Sequence, residues 1–364
     1  MKILADLIKI ESLSGKEENL AMFLIEHLTS LGFQPFLQDG NVILQIKGEN
    51  EENAVIFNAH MDTVEPGDLS SWKYPPVGKN AGVSIDKKLY GLGASDDKAG
   101  IASLLLLAKK LVGKPPKTDV WFTFVVKEEV DGSGTKKFIK WFTSEGWLKK
   151  YEKISAVICE PTDLEEIKIG HRGNIFASVT LHGDGGHGSR PSAIRINAIK
   201  NMYLVIGEIE KIAAGWAAKY QHPVLGQPTL AITTISAGNP LSPNKFADSC
   251  SITLDIRTTP QLHSSAISLL KKALKKFEAK IDPLYEPAFF GNTDPNAEIV
   301  IKAKRITGAK IAINIGSNDL CFFTEAKIPG IIFGPGNNTS MHKANEYCEI
   351  KKIEEAASIY SQLV

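Results

Sequence analysis

Four short apolar runs in this chain each lead into a side chain that can bind a metal ion or carry a proton. The run 54–59 leads into His60 and Asp62, 120–126 into Glu128 and Glu129, 154–159 into Glu160 and Asp163, and 331–333 through Gly334 and Gly336 to His342. Imidazoles and carboxylates with no thiolate among them suit zinc, cobalt or manganese, and a set rich in carboxylates can hold two ions with one ligand shared. Two such ions acidify a bridging water and clamp the oxygens of a tetrahedral intermediate, so the chemistry would be hydrolysis. The Glu128-Glu129 pair offers one carboxylate for metal and one for protons. Residues two apart on a strand share a face, so Asp62 could orient the imidazole of His60. Any one of these residues alone reads as a solvated loop residue; several strand ends ending alike do not.

A fifth candidate stands between glycines. Asp96 and Asp97 in the stretch 93–100 immediately precede an apolar segment, 98–111, with the length of a buried helix. A helix N-terminus favours carboxylates, and Asp96 could simply cap it.

Short β-rich runs separated by helices imply an α/β fold with a largely parallel, buried sheet, whose ligands bind beyond the carboxyl ends of the strands. Residues 16–32 read as an amphipathic helix closed by Gly32, followed by a hairpin at Asp39-Gly40. The middle of the chain is different: a strand at 174–182, a helix at 193–213, strands at 229–236 and 249–257, a helix at 263–279 and a last strand before Pro287. This β-α-β-β-α-β order is the ferredoxin-like split arrangement. A first catalytic part at 1–170, an inserted domain at 171–283 and a returning catalytic part at 284–364 follow.

Composition supports an ordinary globular chain. Its 364 residues are enough for two cores, and 43% hydrophobic with 23% charged residues leaves no case for disorder. With 42 basic against 41 acidic residues and no basic stripe, nothing points to nucleic acid or an anionic membrane surface. The first residues mix charges at helical spacing rather than forming a signal peptide, and no window approaches a membrane span. Cys159, Cys250, Cys321 and Cys348 show no CxxC spacing, so a reducing cytoplasm is expected.

The ordered motifs carry a family resemblance over essentially the whole chain. HMDTV at 60–64, GASDDKAG at 93–100, KEEVDGSG at 127–134, CEPTD at 159–163, GGHGSRP at 185–191 and MHKANEY at 341–347 each say little singly. In this order the chain resembles the dinuclear zinc metallopeptidase and deacylase family of acetylornithine deacetylase, succinyl-diaminopimelate desuccinylase, aminoacylase, bacterial glutamate carboxypeptidase and tripeptidase. The resemblance implies a zinc-peptidase-like sheet with an inserted lid and dimerisation domain. It implies that His60 and Glu160 hold one zinc, that Glu129 and His342 hold the other, and that Asp96 bridges them. Glu128 would be the base that deprotonates the bridging water, and Asp96-Asp97 a cis peptide bond. His187 would stabilise the oxyanion in the partner subunit's site of a homodimer, and Asn244 and Arg257 match lid positions that bind a substrate carboxylate. A strand-end salt bridge explains Arg257 equally well. The amides of Gly334 and Gly336 could likewise approach a substrate carboxylate or form a plain turn.

One departure bears on substrate. The desuccinylase branch places an arginine two residues after the aspartate of the segment 316–322, where this chain has Cys321, and losing a bidentate carboxylate partner argues against strict succinyl-diaminopimelate specificity. HMDTVEPG and the double aspartate look closer to the peptidases, the compact length to the deacetylases. The expected substrate is a small N-acyl amino acid or a short peptide with a free carboxylate. A di- or tripeptidase or carboxypeptidase with the same site, and a non-catalytic binding protein of the same fold, are the alternatives.

Overall fold

In the computed structural model, which describes residues 2–364, the runs that end in candidate ligands lie side by side in one nine-stranded sheet. Thr118–Val125, Asn50–His60, Lys153–Ile158 and Gly330–Ile332 are neighbours in that order and all run parallel. His60 stands opposite Val125, and Ile158 opposite both Asn58 and Ile332, so their carboxyl ends finish at one edge. Antiparallel strands flank this centre: Asn41–Ile46 on one side and Glu166–His171 on the other. The predicted hairpin joins Phe36–Gln38 to Asn41–Ile46. Asp39 (φ 51°) and Gly40 (φ 92°) both adopt the left-handed conformation that such a two-residue turn requires.

Buried aromatic residues, Phe57, Trp121, Phe122, Phe124 and Tyr360 among them, fill the sheet's surroundings. The apolar run after the double aspartate forms the helix Lys98–Leu111, buried along most of its length and packed against the helix Ile350–Leu363. The helix expected at 16–32 spans Glu18–Ser30, with Gly32 left-handed just beyond it. Among the described residues, no helix is long and apolar enough to cross a membrane.

The chain divides into two units. The first comprises the chain up to Gly170 with Gly291–Asn314 and Asn318–Val364; the second comprises His171–Phe290 with Ile315–Ser317. In the second, the strands lie in the order Thr229–Ala237, Ser249–Thr258, Gly173–His182, Lys280–Pro283, all antiparallel. With the helices Ala198–Lys219 and Ala266–Leu274, the chain order is strand, helix, strand, strand, helix, strand. Strict in-out alternation along Gly173–His182 and Ser249–Thr258 puts Ile175, Val179, Ile252 and Leu254 against Met202, Val205 and Leu270.

Two boundaries differ from the sequence reading. The first helix of this unit starts at Ala198 rather than 193, because Pro191–Ala193 forms a separate 3-10 turn and the Asn197 side chain caps the helix by accepting from Lys200 N. The unit also runs past 283 to Phe290, since Leu284 N donates to Phe176 O and Asn174 and Ala288 exchange backbone hydrogen bonds.

Gly334 shows how closely the loops at the sheet's carboxyl edge pack. A Cβ there would lie 1.8 Å from the carbonyl oxygen of Cys159. Gly334→Ala must therefore move backbone, and a destabilisation of about 1–3 kcal/mol or more is expected from overpacking. Urea unfolding would measure it; an unchanged midpoint would mean that the two loops do not pack this closely.

Candidate metal centre

The stretch that could have been only a helix cap does something else. Neither Asp96 nor Asp97 makes a side-chain cap bond to the helix Lys98–Leu111. Instead, Asp96 Oδ1 lies 2.9 Å from His60 Nε2, and Asp96 Oδ2 lies 3.4 Å from His342 Nε2. His342 Nε2 is also 2.9 Å from Glu129 Oε1. One carboxylate thus meets two imidazoles that the sequence separates widely. The Asp96-Asp97 peptide bond is cis.

His60 is buried at the end of its strand, with Nδ1 2.9 Å from the backbone carbonyl oxygen of Asp62 and 3.5 Å from its carboxylate. The expected orienting contact is therefore made chiefly by main chain. The Asp62 carboxylate is committed elsewhere: it accepts hydrogen bonds from Ser14 Oγ at 2.7 Å, Glu128 N at 3.0 Å and Glu129 N at 3.1 Å. A fully buried carboxylate thereby fixes the backbone that presents the two glutamates, next to Lys127 with its left-handed φ of 58°.

Glu160 Oε2 accepts from Asn318 Nδ2 at 2.7 Å. One ligand atom each from His60, Glu128 and Glu160 lies within 4.8 Å of the others, and the same holds for His60, Asp96 and Glu129. All of these residues belong to the first unit.

The electrostatics are those of a crowded anionic site. Burial and then the charge of Asp96 push Glu160 up to about 8, and burial and then Glu160 push Glu128 well above the usual carboxylate range. Hydrogen bonding to Asp96 and Glu129 raises His342 to about 10. Burial works against a charged His60, yet the nearby Asp62 and Asp96 carboxylates raise it well above 6.5. Burial likewise works against an ionised Asp96, but its contacts with His342 and His60 hold it well below the ordinary value. Converging imidazole and carboxylate donors without thiolate fit zinc, cobalt or manganese.

The remaining sequence candidates fall in two places. Gly334 N donates to Thr162 Oγ1 at 3.1 Å and Gly334 O accepts from Thr162 N, so this amide is engaged with the loop that follows Lys153–Ile158. A Cβ on Gly336 would meet Ser95 O at 2.2 Å, so close packing against the Asp96 loop already calls for glycine there. In the second unit, the strand pair Gly186–His187 and Lys245–Phe246 brings His187 and Asn244 together, with His187 Nε2 3.4 Å from Asn244 Nδ2 and His187 Nδ1 2.7 Å from Ser189 Oγ. Arg257 forms an ion pair with Asp255, Nε to Oδ1 2.8 Å, which is the strand-end salt bridge. Cys321 is buried in the helix Leu320–Glu325.

Three participants escaped the sequence reading. Asn318 holds Glu160. Asp319, buried beside it, accepts from Thr135 Oγ1 at 2.6 Å and is pushed up to about 7 chiefly by burial. Glu346 accepts backbone N–H groups from the Asp96 loop, and burial pushes it up to about 7 against those bonds. Glu346 lies inside the motif at 341–347, but a carboxylate that serves backbone amides leaves no mark in sequence spacing.

Residues 56–364 match the family model described as peptidase family M20/M25/M40. The chain belongs to this family, and it is a hydrolase of amide or peptide bonds. It is 27% identical to an acetylornithine deacetylase of Aliivibrio fischeri, covering 90% of this chain and 85% of that one. It is 28% identical to a succinyl-diaminopimelate desuccinylase of Cereibacter sphaeroides, covering 99% and 96%. In fold it is similar to a tripeptidase from Staphylococcus aureus, with a TM-score of 0.79 at 21% identity over 100% and 96% of the two chains. It is also similar to a dinuclear metal-binding M20 peptidase of Bacillus subtilis, with a TM-score of 0.73 at 16% identity over 100% and 95%.

Carboxylate neighbours raise the proton affinity of His60 and His342, and burial raises that of Glu160, so loading the site with divalent cations should release protons. Ligands must be deprotonated, so apparent affinity should rise with pH from 6 to 8 and fall on acidification. Calorimetry in buffers of different ionisation enthalpy measures the sign; proton uptake on loading would contradict the assignment.

Proposed function

We propose that this hydrolase removes the acyl group from a small N-acyl amino acid bearing a free carboxylate. The observation that carries the reading is the meeting of Asp96 with both His60 and His342 while Glu128 stands within reach of the same cluster. His60 and Glu160 would hold one divalent ion, Glu129 and His342 the other, and Asp96 both. When bound, two such ions, zinc by preference with cobalt or manganese as substitutes, supply Lewis acidity and an acidified water.

The chain's own part is acid-base chemistry and positioning. Glu128, its backbone fixed by the Asp62 carboxylate, takes the proton of the attacking water and delivers it to the leaving nitrogen. Its surroundings raise its proton affinity, which suits a group that must both accept and return a proton near neutral pH. Relatives named as deacylases align over nearly the whole chain. Cys321 in place of a cationic partner favours an acyl group without its own carboxylate. A di- or tripeptidase is the second reading, favoured by the HMDTVEPG and SDDKAG motifs.

The second unit would serve as lid and dimerisation domain. Its outer strand Thr229–Ala237 is largely solvent-exposed, and Tyr203, Leu204 and Ile235 are exposed apolar residues on the same unit, features suited to pairing with a second copy. There His187 and Asn244 would meet the oxyanion or carboxylate of substrate held by the partner subunit. Four free, buried cysteines are compatible with the cytoplasm as the working compartment.

A panel of N-acetyl, N-succinyl and dipeptide substrates tests the reading on one metal-analysed sample. N-acetyl amino acids should be preferred, and Glu128→Gln should keep its bound metal while kcat falls about 100- to 10,000-fold. Preferential dipeptide turnover would select the second reading, and an active Glu128→Gln would remove Glu128 as the base. His187→Ala should lower kcat about 100- to 1,000-fold with metal content unchanged; full activity would remove His187 from the chemistry.

A further inference from the structure

Glu346 joins two loops that each carry a candidate metal ligand. It is almost fully buried, at 1% exposure. Its Oε1 accepts from Ser95 N at 2.6 Å and Asp96 N at 2.9 Å, and its Oε2 accepts from Gly93 N at 3.0 Å. The main chain adds a further bond in the same direction, Gly91 N donating to Glu346 O at 3.0 Å. His342 stands four residues earlier in the same loop, which is itself braced by Ser340 Oγ donating to Tyr347 O at 3.1 Å. Asn345, the residue before, accepts from Lys73 N at 2.6 Å and donates to Ser71 O at 3.1 Å. The fold therefore anchors the loop at 340–347 on both flanks of Glu346 and uses this one carboxylate to hold the loop that bears Asp96.

We infer that Glu346 is a positioning residue that sets the placement of Asp96 against His342 and so determines how tightly the site holds its ions, an inference that rests on the metal-dependent reading above. Three convergent N–H donors are a demand that only a doubly accepting carboxylate meets. An amide keeps the shape, but its NH₂ group turns a donor toward another donor. With Oε1 still on Ser95 N and Asp96 N, Gln at 346 would face the N–H of Gly93 with hydrogens of its own. Asp would keep the charge and fall short by one methylene. Glu346 supplies no proposed ligand atom and meets Asp96 only at its backbone N–H, and Glu346→Asp keeps the charge, so a loss of affinity in that variant passes through the placement of the two loops.

The control is a buried carboxylate with a similar task at the other end of the sheet. Asp119, fully buried, accepts from Gly48 N at 2.9 Å and Tyr151 Oη at 2.8 Å at the start of the strand Thr118–Val125, away from the ligand edge. Zinc affinity of the full chain would be measured by competition with a chromophoric chelator, alongside the melting of the metal-free protein and kcat. Glu346→Gln is expected to weaken zinc binding at least tenfold and to lower kcat, whereas Asp119→Asn, though it also lowers the melting temperature, keeps zinc affinity within twofold of wild type. If Glu346→Gln fails to fold, Glu346→Asp is measured in the same way with the same expectation. Zinc affinity within twofold of wild type in the Glu346 variant, or an equal loss in Asp119→Asn, would overturn the inference. A wild-type chain that takes up no zinc would sink the metal-dependent reading and this inference together, whereas two tightly held ions in both wild type and variant would sink the inference alone.

Discussion

Bringing Asp96, Glu128, Glu129 and Glu160 to one edge of a sheet is electrostatically unfavourable, and much of the surrounding structure answers that constraint. Like charges in a partly desolvated space either take up protons or find donors. Here both occur: burial and like charges raise the proton affinity of Glu160 and Glu128, while contacts with His342 and His60 hold Asp96 below the ordinary value. Such an arrangement adds little to folding stability in itself, because charges taken out of water are rarely repaid in full by their partners. Its retention makes sense as binding capacity.

The same fold employs buried carboxylates in a second way, as clamps on backbone. Asp62 accepts from the amides of Glu128 and Glu129, and Glu346 from those of Gly93, Ser95 and Asp96. Each clamp reaches far along the chain, 66 residues in one case and 250 in another. Each adds long-range bonds to a loop whose own backbone bonds, such as Gly132 N to Lys127 O and Lys98 N to Gly93 O, close only its ends. Charge-assisted bonds to backbone N–H groups are stronger than neutral ones and directional, so the loops gain definition without adding apolar bulk near the reacting centre.

What could be seen in the sequence follows from this division. The candidate ligands His60, Glu129 and Glu160 are legible because they follow apolar strand runs that the parallel sheet brings together, with His342 ten residues beyond the run at Gly330–Ile332. The helix at Lys98–Leu111 was legible from its apolar content. The clamps were not, because an acceptor of backbone amides shows neither periodicity nor fixed spacing to the groups it serves. Asp62 illustrates the difference: strand geometry suggested a side-chain contact to His60, whereas the carboxylate turns to the amides of the glutamate pair. The close of the second unit at Phe290 was hidden for a related reason, since bonds between main-chain groups of Asn174 and Ala288 depend on no particular side chain.

On the proposed function the two units also separate two kinds of task. All five proposed ligands and the proposed base lie in the first, on loops clamped to a buried sheet, while His187, Asn244 and Arg257 lie in the second. Metal capture demands geometry held to fractions of an ångström, which a sheet edge with carboxylate clamps provides. Groups that meet the substrate must let it in and out, which favours carriage on a separate body with its own core. The exposed strand pair that carries His187 is held to its own unit by a short ladder with Lys245 and Phe246 rather than by burial among apolar side chains. On that reading the second unit and the helix that carries Cys321 can be altered while Asp96, its two imidazoles and their clamps stay in place.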